Sequence, residues 1–122
     1  MRILIVDDEP FVIDMLKLAL ERLGHSVLTV TFYEEIVNLA GSHHFDAVIL
    51  DYSMPYENGM TILRRLREAT PGDFPYVFYT KSAQGSGEWE ALQRAGIPPH
   101  RILQKADTSE DARTLLTILR GR

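Results

Sequence analysis

The feature that most constrains the fold is a short apolar run that ends on a carboxylate. Residues 47–50 are Ala-Val-Ile-Leu, and Asp51 follows them directly. Such a run is too short for an ordinary helix and is typical of a strand covered on both faces, as in a parallel sheet. Asp51 then lies at the carboxyl end of the strand, where open α/β sheets carry their binding crevice. We therefore expect Asp51 to carry the chemistry of this chain.

Four further segments have the composition of strands, and three of them are followed by reactive side chains. The four segments are residues 2–6, 26–31, 76–79 and 101–104. Asp7 and Asp8 follow the first strand of the chain, Thr80 follows the fourth and Lys105 follows the fifth. If the strands are parallel, all of these side chains lie at one edge of the sheet.

Helical patterns alternate with the strands. The five predicted helices begin near Pro10, Thr31, Gly59, Glu88 and Thr108. Thr108 is expected to cap the last of them. This alternation predicts an α/β doubly wound fold with a five-stranded parallel sheet and five helices. Of the two common strand orders, 2-1-3-4-5 places the first and third strands side by side and so brings Asp7, Asp8 and Asp51 together.

Composition narrows the functional classes. The 122 residues predict a single domain over 1–122, and the formal net charge of −4 argues against direct binding to nucleic acid. The chain has no cysteine, which excludes thiol catalysis and a disulfide framework. Its apolar runs are too short to insert into a membrane, and no signal-peptide pattern precedes the first strand. We therefore expect a soluble, cytoplasmic protein.

Three carboxylates at one edge of a sheet need a counter-charge, because like charges raise one another's pKa. A hard divalent cation meets this need. Mg²⁺, with Mn²⁺ as an alternative, prefers oxygen ligands and often binds a few carboxylates together with a phosphate oxygen. Asp7, Asp8 and Asp51 are therefore predicted metal ligands, and the predicted chemistry is phosphoryl transfer.

The other strand-end residues suit that reaction. A carboxylate can attack phosphorus and form an acyl phosphate, while an ammonium and a hydroxyl stabilise charge on the transferring oxygens. Asp51 is the predicted nucleophile and Lys105 the fixed cation. Thr80 is the predicted hydroxyl that responds to the new phosphate.

Together these motifs resemble a response-regulator receiver domain over the whole chain. The resemblance is carried by Ile-Val-Asp-Asp-Glu-Pro at 5–10, Asp51-x-x-Met-Pro, Gly59, Thr80 and Lys105. It implies a flavodoxin-like fold and Mg²⁺-dependent phosphorylation of Asp51 by a histidine kinase or a phosphotransfer protein. It also implies that the backbone carbonyl of Ser53 contacts the metal.

The resemblance further implies a conformational response on the face made by the fourth helix, the fifth strand and the fifth helix. A downstream protein would bind this face, and a homodimer is left open. The protein would be a phosphoacceptor with at most slow autophosphatase activity, not a conventional turnover enzyme.

Two departures from the family pattern concern the last strand. Ala106 stands where the family usually has a proline with a cis bond. Because a non-proline cis bond costs about 3 to 4 kcal/mol, we predict a trans peptide between residues 105 and 106 and a shifted Lys105 loop. Ile102 replaces an aromatic residue that turns inward when the threonine hydroxyl moves. Ile102 has no polar tip, so this coupling is expected to be absent or altered, with the loop at 85–87 as another route.

Two further departures lie beside the phosphoacceptor. Lys81 replaces a residue that is commonly small. The favoured interpretation is a solvated loop lysine, because lysine is seldom buried; the alternatives are that it covers Asp51, binds the phosphate or pairs with one of the acids. Ser53 replaces a larger polar residue and leaves more room for water. The lifetime of the acyl phosphate is therefore left open.

Three functions remain as hypotheses. The first is a phosphorylatable switch, and the second is a receiver-like interaction module with reduced or absent phosphorylation, suggested by Ala106, Ile102 and Lys81. The third is a metal-dependent phosphohydrolase of the haloacid-dehalogenase kind. That class expects its nucleophile and acid two residues apart on the first strand, whereas Asp7 and Asp8 are adjacent, and the chain lacks room for a cap domain.

Overall fold

The computed structural model describes residues 1–30, 35, 45–54, 57–70 and 72–121. Its strands are β1 (Arg2–Val6), β2 (Ser26–Val30), β3 (Ala47–Leu50), β4 (Tyr76–Thr80) and β5 (Ile102–Gln104). They form one parallel sheet in the order β2-β1-β3-β4-β5. The predicted fold class and strand order are therefore confirmed.

The described part of the chain contains four α-helices, three between strands and one after β5. They are α1 (Pro10–Arg22), α2 (Gly59–Ala69), α3 (Gly87–Arg94) and α4 (Thr108–Gly121). The predicted second helix, near residues 31–41, lies outside the described residues apart from Glu35. The predicted fourth and fifth helices are therefore α3 and α4. Among the described residues, no helix has the length and apolar character needed to cross a bilayer.

The continuous apolar runs arise because helices cover both faces of the sheet. Ile3 and Ile5 of β1 point to one face and pack in a cluster with residues of α1 and α4. Leu4 and Val6 point to the other face and pack in a cluster with residues of α2 and α3. Successive side chains of a strand alternate between faces. Every residue of β3 and β4, and every residue of β1 after Arg2, is therefore buried, and no alternation with exposed polar residues is visible in these strands.

The strand register aligns the carboxyl ends of the central strands. Val6 pairs with Leu50 across β1 and β3, so the residues that follow them, Asp7 and Asp51, emerge side by side. The amide of Asp51 donates to the carbonyl of Val6 at 2.9 Å, which extends the ladder by one bond. Thr80 ends the neighbouring strand β4.

The N-terminal cap of α4 differs from the sequence prediction. The carboxylate of Asp107 accepts from the amides of Ser109 at 3.1 Å and Glu110 at 3.3 Å. Asp107 therefore caps α4, and the prediction that Thr108 does so was wrong by one residue. Because aspartate and threonine are both favourable cap residues, the sequence alone does not separate two adjacent candidates.

Gly59 allows α2 to begin directly against the loop that follows Asp51. Its amide donates to the carbonyl of Tyr52 at 2.7 Å. A Cβ atom at this position would overlap the backbone oxygen of Asp51 and would lie 2.8 Å from Cε1 of Phe78. The backbone atoms of this loop cannot rotate away as the end of a flexible side chain can.

We predict that Gly59→Ala lowers the free energy of unfolding by about 1 to 3 kcal/mol, the usual cost of forcing extra volume into a packed site. Gly87→Ala is the matched control, because Gly87 also begins a helix but has no atom within 4 Å of the added Cβ. Urea unfolding measures both variants. An equal effect of the two substitutions would contradict the close-approach explanation.

Candidate functional site

Asp51 is a buried carboxylate fixed at the end of β3. Its exposed fraction is 2%, although it carries an ionisable group. The amide of Ser53 lies 3.4 Å from its Oδ1 atom, a long hydrogen bond. Ser53 itself pairs with Asn58 in a short antiparallel bridge, just before α2 begins. The loop after β3 is thus folded back, and the Asp51 side chain remains at the sheet edge.

Three aspartates converge at this edge, as the sequence predicted. Each of Asp7, Asp8 and Asp51 offers one carboxylate oxygen, and these oxygens lie within 4.8 Å of one another. Asp7 is buried and Asp8 is exposed, so the cluster opens to solvent on one side. An all-oxygen donor set of this kind fits a hard divalent cation such as Mg²⁺.

Lys105 supplies the positive charge among these acids. Its Nζ atom lies 2.8 Å from Asp7 Oδ2, 3.0 Å from Glu9 Oε1 and 3.2 Å from Asp51 Oδ2. The Lys105 side chain is only 9% exposed. Its ammonium group has three donors and satisfies one oxygen of each acid. Lys105 therefore bridges the carboxyl ends of β1, β3 and β5.

Burial and charge shift the pKa values within the cluster. Burial, followed by the charge of Asp7, raises the pKa of Asp51 to about 6, against the lowering effect of Lys105. Burial also raises the pKa of Asp7, although hydrogen bonds from Lys105 and the Glu9 amide oppose it. Burial by itself lowers the pKa of Lys105, but its hydrogen bond to Asp7 and the nearby negative charges outweigh this and raise it. With a pKa of about 6, Asp51 is mostly ionised at neutral pH and lies beside the charged Lys105.

The hydroxyl of Thr80 is hydrogen-bonded to an acid of a neighbouring helix. Thr80 is fully buried, and its Oγ1 donates to Oε2 of Glu88 on α3 at 2.9 Å. The same oxygen accepts from the amide of Ser82 at 3.2 Å. The backbone carbonyl of Thr80 accepts from the amide of Lys105 at 2.6 Å. The predicted sensing residue is therefore close to the cluster through its backbone, while its side chain is bound to a helix.

The backbone amide of Ala106, a donor that a proline at this position would lack, makes a hydrogen bond. Its amide donates to Oδ2 of Asp111 at 2.9 Å, and the Tyr79 hydroxyl donates to the same carboxylate oxygen. The described residues contain no cis peptide, so the predicted trans bond between residues 105 and 106 is confirmed. Asp111 thus fixes the segment that follows Lys105 onto α4. The shifted Lys105 loop stays a prediction.

The other departures from the family pattern have simple structural settings. Ile102 is buried on β5, at 5% exposed, and packs in the core beside Phe78. Lys81 is exposed and makes no ion pair with any acid that the structure describes, so the predicted pairing with an acid is not observed. Its two other predicted roles, and the carbonyl role of Ser53, stay predictions.

Three acidic residues take part in the site without having been assigned a role from the sequence. Glu9 binds Lys105, Glu88 binds Thr80 and Asp111 binds Ala106. Glu9 was visible as the third member of an acidic triplet. Glu88 and Asp111 lie outside the motifs, in the first turns of two helices, and have the pattern of ordinary first-turn acids, which stabilise any helix.

Known proteins share this sequence pattern. The family model of the response regulator receiver domain matches residues 3–116. The sensory/regulatory protein RpfC of Xanthomonas campestris pv. campestris is 39% identical over 67 residues, which cover 55% of this chain and 9% of that protein. The response regulator SaeR of Staphylococcus aureus is 33% identical over 82 residues, which cover 67% of this chain and 35% of SaeR. The chain thus spans well under two thirds of the length of these relatives.

A solved structure shares the architecture. The receiver domain of the sensor histidine kinase PA1611 from Pseudomonas aeruginosa PAO1 matches with a TM-score of 0.79 and 25% identity. The match covers 99% of this chain and 98% of that domain. That structure has a magnesium ion coordinated in its active site cleft.

We predict that Asp51→Asn stabilises the metal-free protein at neutral pH. Because the pKa of Asp51 is raised to about 6 on folding, the unfolded chain loses this proton at lower pH than the folded chain. Ionisation of Asp51 therefore lowers the stability as the pH rises from its ordinary pKa to about 6, at a cost of up to about 3 kcal/mol. Asparagine removes this cost together with the ion pair to Lys105, so the expected net gain is about 1 to 2 kcal/mol.

Thermal unfolding between about pH 4 and pH 8 measures this gain, which should grow as the pH rises through the titration range. Asp14→Asn, which changes an exposed aspartate of α1, is the control and should leave the pH dependence unchanged. A lower melting temperature for Asp51→Asn than for the unchanged chain near pH 8 would contradict the prediction.

Proposed function

Because the chain belongs to the response regulator receiver domain family, as its sequence predicted, we propose that it is a phosphoacceptor whose Asp51 receives a phosphoryl group. One observation carries the proposal: the buried Asp51 carboxylate lies 3.2 Å from the Lys105 ammonium and beside two further aspartates. Burying several charged groups together is costly in folding free energy, so packing alone does not explain this arrangement. Together the groups suit a reaction that brings negative charge to Asp51.

The transfer step follows from the chemistry of Asp51. An oxygen of the ionised carboxylate attacks phosphorus, an O–P bond forms, and the bond from phosphorus to the donor breaks with its electron pair on the donor. Lys105 already contacts Asp51 Oδ2 and offsets the charge that the phosphoryl oxygens bring. Thr80, at the end of the adjacent strand, donates its hydroxyl to a phosphoryl oxygen after transfer.

The cluster also suits a metal. Asp7, Asp8 and Asp51, with the backbone carbonyl of Ser53, would hold Mg²⁺. When bound, this ion supplies positive charge that offsets the charge on the phosphoryl oxygens and on the three acids. The chain's own part is to orient these oxygens: the Glu9 amide donates to Asp7 Oδ1 at 2.9 Å and the Ser53 amide lies by Asp51 Oδ1.

We propose that the phosphodonor is a histidine kinase or a phosphotransfer protein. The readout is a downstream protein that binds the face made by α3, β5 and α4. The sensory and regulatory names of the relatives RpfC and SaeR support this class of partner. Residues 1–122 would act as one cytoplasmic receiver unit, with autophosphatase activity that is slow at most.

A second candidate function rests on specific departures from the family pattern. Ile102 is buried without a polar tip, and the Thr80 hydroxyl is bound to Glu88. Lys81 projects into solvent at the end of β4. A receiver-like interaction module with reduced phosphorylation would accommodate all three features. Labelling with a small phosphodonor separates the two functions.

We predict that incubation with acetyl phosphate and Mg²⁺ adds one phosphoryl group to the chain, measured by intact mass. The label should depend on Mg²⁺ and should disappear in Asp51→Asn, because the asparagine amide cannot act as the carboxylate nucleophile. Asp14→Asn is the matched control and should be labelled like the unchanged protein.

A folded protein that takes no label would contradict the phosphoacceptor function and favour the interaction module. In that case Lys81→Ala is the next variant. Labelling restored by this change identifies Lys81 as a gate over Asp51. Continued absence of the label excludes that explanation.

A further inference from the structure

The Thr80 hydroxyl can serve only one acceptor at a time. A threonine hydroxyl has one hydrogen to donate. In this structure the Glu88 carboxylate accepts it at 2.9 Å, and the Ser82 amide occupies an acceptor site of the same oxygen. Thr80 is fully buried, so water does not replace Glu88 as a partner without rearrangement. A phosphoryl oxygen on Asp51 therefore competes directly with Glu88 for this hydrogen.

Glu88 belongs to the part of α3 that is attached to the end of β4. The next residue, Trp89, is buried, and its indole Nε1 donates to the carbonyl of Ser82 at 2.7 Å. Two side-chain hydrogen bonds therefore join the first turn of α3 to residues 80–82. Loss of the Glu88 contact leaves only the Trp89 contact at this junction, so the position of the first turn depends on where Thr80 donates.

Glu88 can leave Thr80 at low cost. Its side chain is only half-buried, and it lies in the first turn of a helix, where the N-terminal dipole stabilises an anion. A released carboxylate can thus turn into solvent. A fully buried carboxylate without a partner would be far more costly. The contact is therefore suited to being broken and remade.

The hydrogen bond between Thr80 and Glu88 links the site to a helix, a link that residue 102 cannot make. Ile102 is buried and has no polar group to exchange between solvent and core. A movement of the Thr80 hydroxyl therefore has no hydrogen-bonding partner on β5. On α3 it has one, 2.9 Å away. The geometry connects the phosphoryl site to α3 directly.

We propose that Glu88 is a positioning residue that holds the Thr80 hydroxyl on α3 in the unphosphorylated protein and releases the helix turn when Thr80 donates to the phosphoryl group. The inference rests on the proposed function, because the competing acceptor is the phosphoryl group on Asp51. Glu88 thus sets both the ease of phosphorylation and the signal that reaches α3.

Trp89 provides the readout, since it is the one tryptophan of the chain and adjoins Glu88. Phosphorylation by acetyl phosphate and Mg²⁺ should change its fluorescence emission. In Glu88→Ala, most of this change should be present before the phosphodonor is added, and labelling should be several-fold faster. Glu88→Gln retains an acceptor oxygen but loses the charge, so it should lie between the two.

Glu90→Ala is the matched control. Glu90 is an exposed acid of the same helix turn that pairs with Arg94 at 3.6 Å, and its loss should change neither emission nor labelling. Thr80→Val tests the route: in that background Glu88→Ala should have no further effect on the labelling rate. A merely structural role for Glu88 would persist without the threonine hydroxyl.

Equal behaviour of the Glu88 and Glu90 variants would overturn the proposal, as would a Glu88→Ala effect that survives in Thr80→Val. Failure of the proposed function is distinguished by mass, because the unchanged protein would then take no label. In that case the proposed coupling of Glu88 to phosphorylation is overturned together with the proposed function. Non-additive melting temperatures of Thr80→Val and Glu88→Ala would still show whether the hydrogen bond holds α3. If Glu88→Ala does not fold, Glu88→Gln carries the test.

Discussion

The arrangement of this protein depends on the Lys105 ammonium among the acids at the carboxyl edge of the sheet. Its contacts of 2.8 to 3.2 Å join Asp7, Glu9 and Asp51, which follow two different strands. Without a cation, the buried pair of Asp7 and Asp51 would favour protonation, and the raised pKa of Asp51 shows that even with Lys105 the balance is close. The charge balance of the site thus depends on the position of one ammonium group.

The sheet fixes the positions of the acids in this cluster through main-chain hydrogen bonds between its strands. Parallel pairing of Val6 with Leu50 sets the aspartates side by side, and both faces of the sheet are packed under helices. Gly59 lets α2 begin against the loop that carries Asp51. The pairing of β1 with β3 consists of backbone hydrogen bonds, so the main-chain positions of Asp7 and Asp51 do not rest on the charge of their side chains. Local rearrangement is then left to side chains.

Two carboxylates on the helices connect the site to α4 and α3. Asp111 on α4 accepts from Ala106 and Tyr79 and so ties the segment after Lys105 to that helix. Glu88 on α3 accepts from Thr80. One acid holds the lysine side of the site and the other holds the threonine side. Asp111 binds the amide of Ala106, where the family pattern has a proline, and Glu88 binds Thr80 although residue 102 is not aromatic. A change in the family pattern therefore need not remove the connection between the site and the helices.

The sequence by itself determined the α/β class, because buried parallel strands leave continuous apolar runs. The polar strand ends favoured the order 2-1-3-4-5, in which Asp7, Asp8 and Asp51 converge, over the other common order. Only the tertiary structure decided the partners of the polar groups. Glu88 and Asp111 have the local pattern of ordinary helix-start acids, and nothing local distinguishes them from Glu90, which faces solvent. The N-terminal cap of α4 is likewise Asp107 and not the predicted Thr108. Hydrogen bonds between elements depend on how helices pack across the sheet, which local periodicity does not encode.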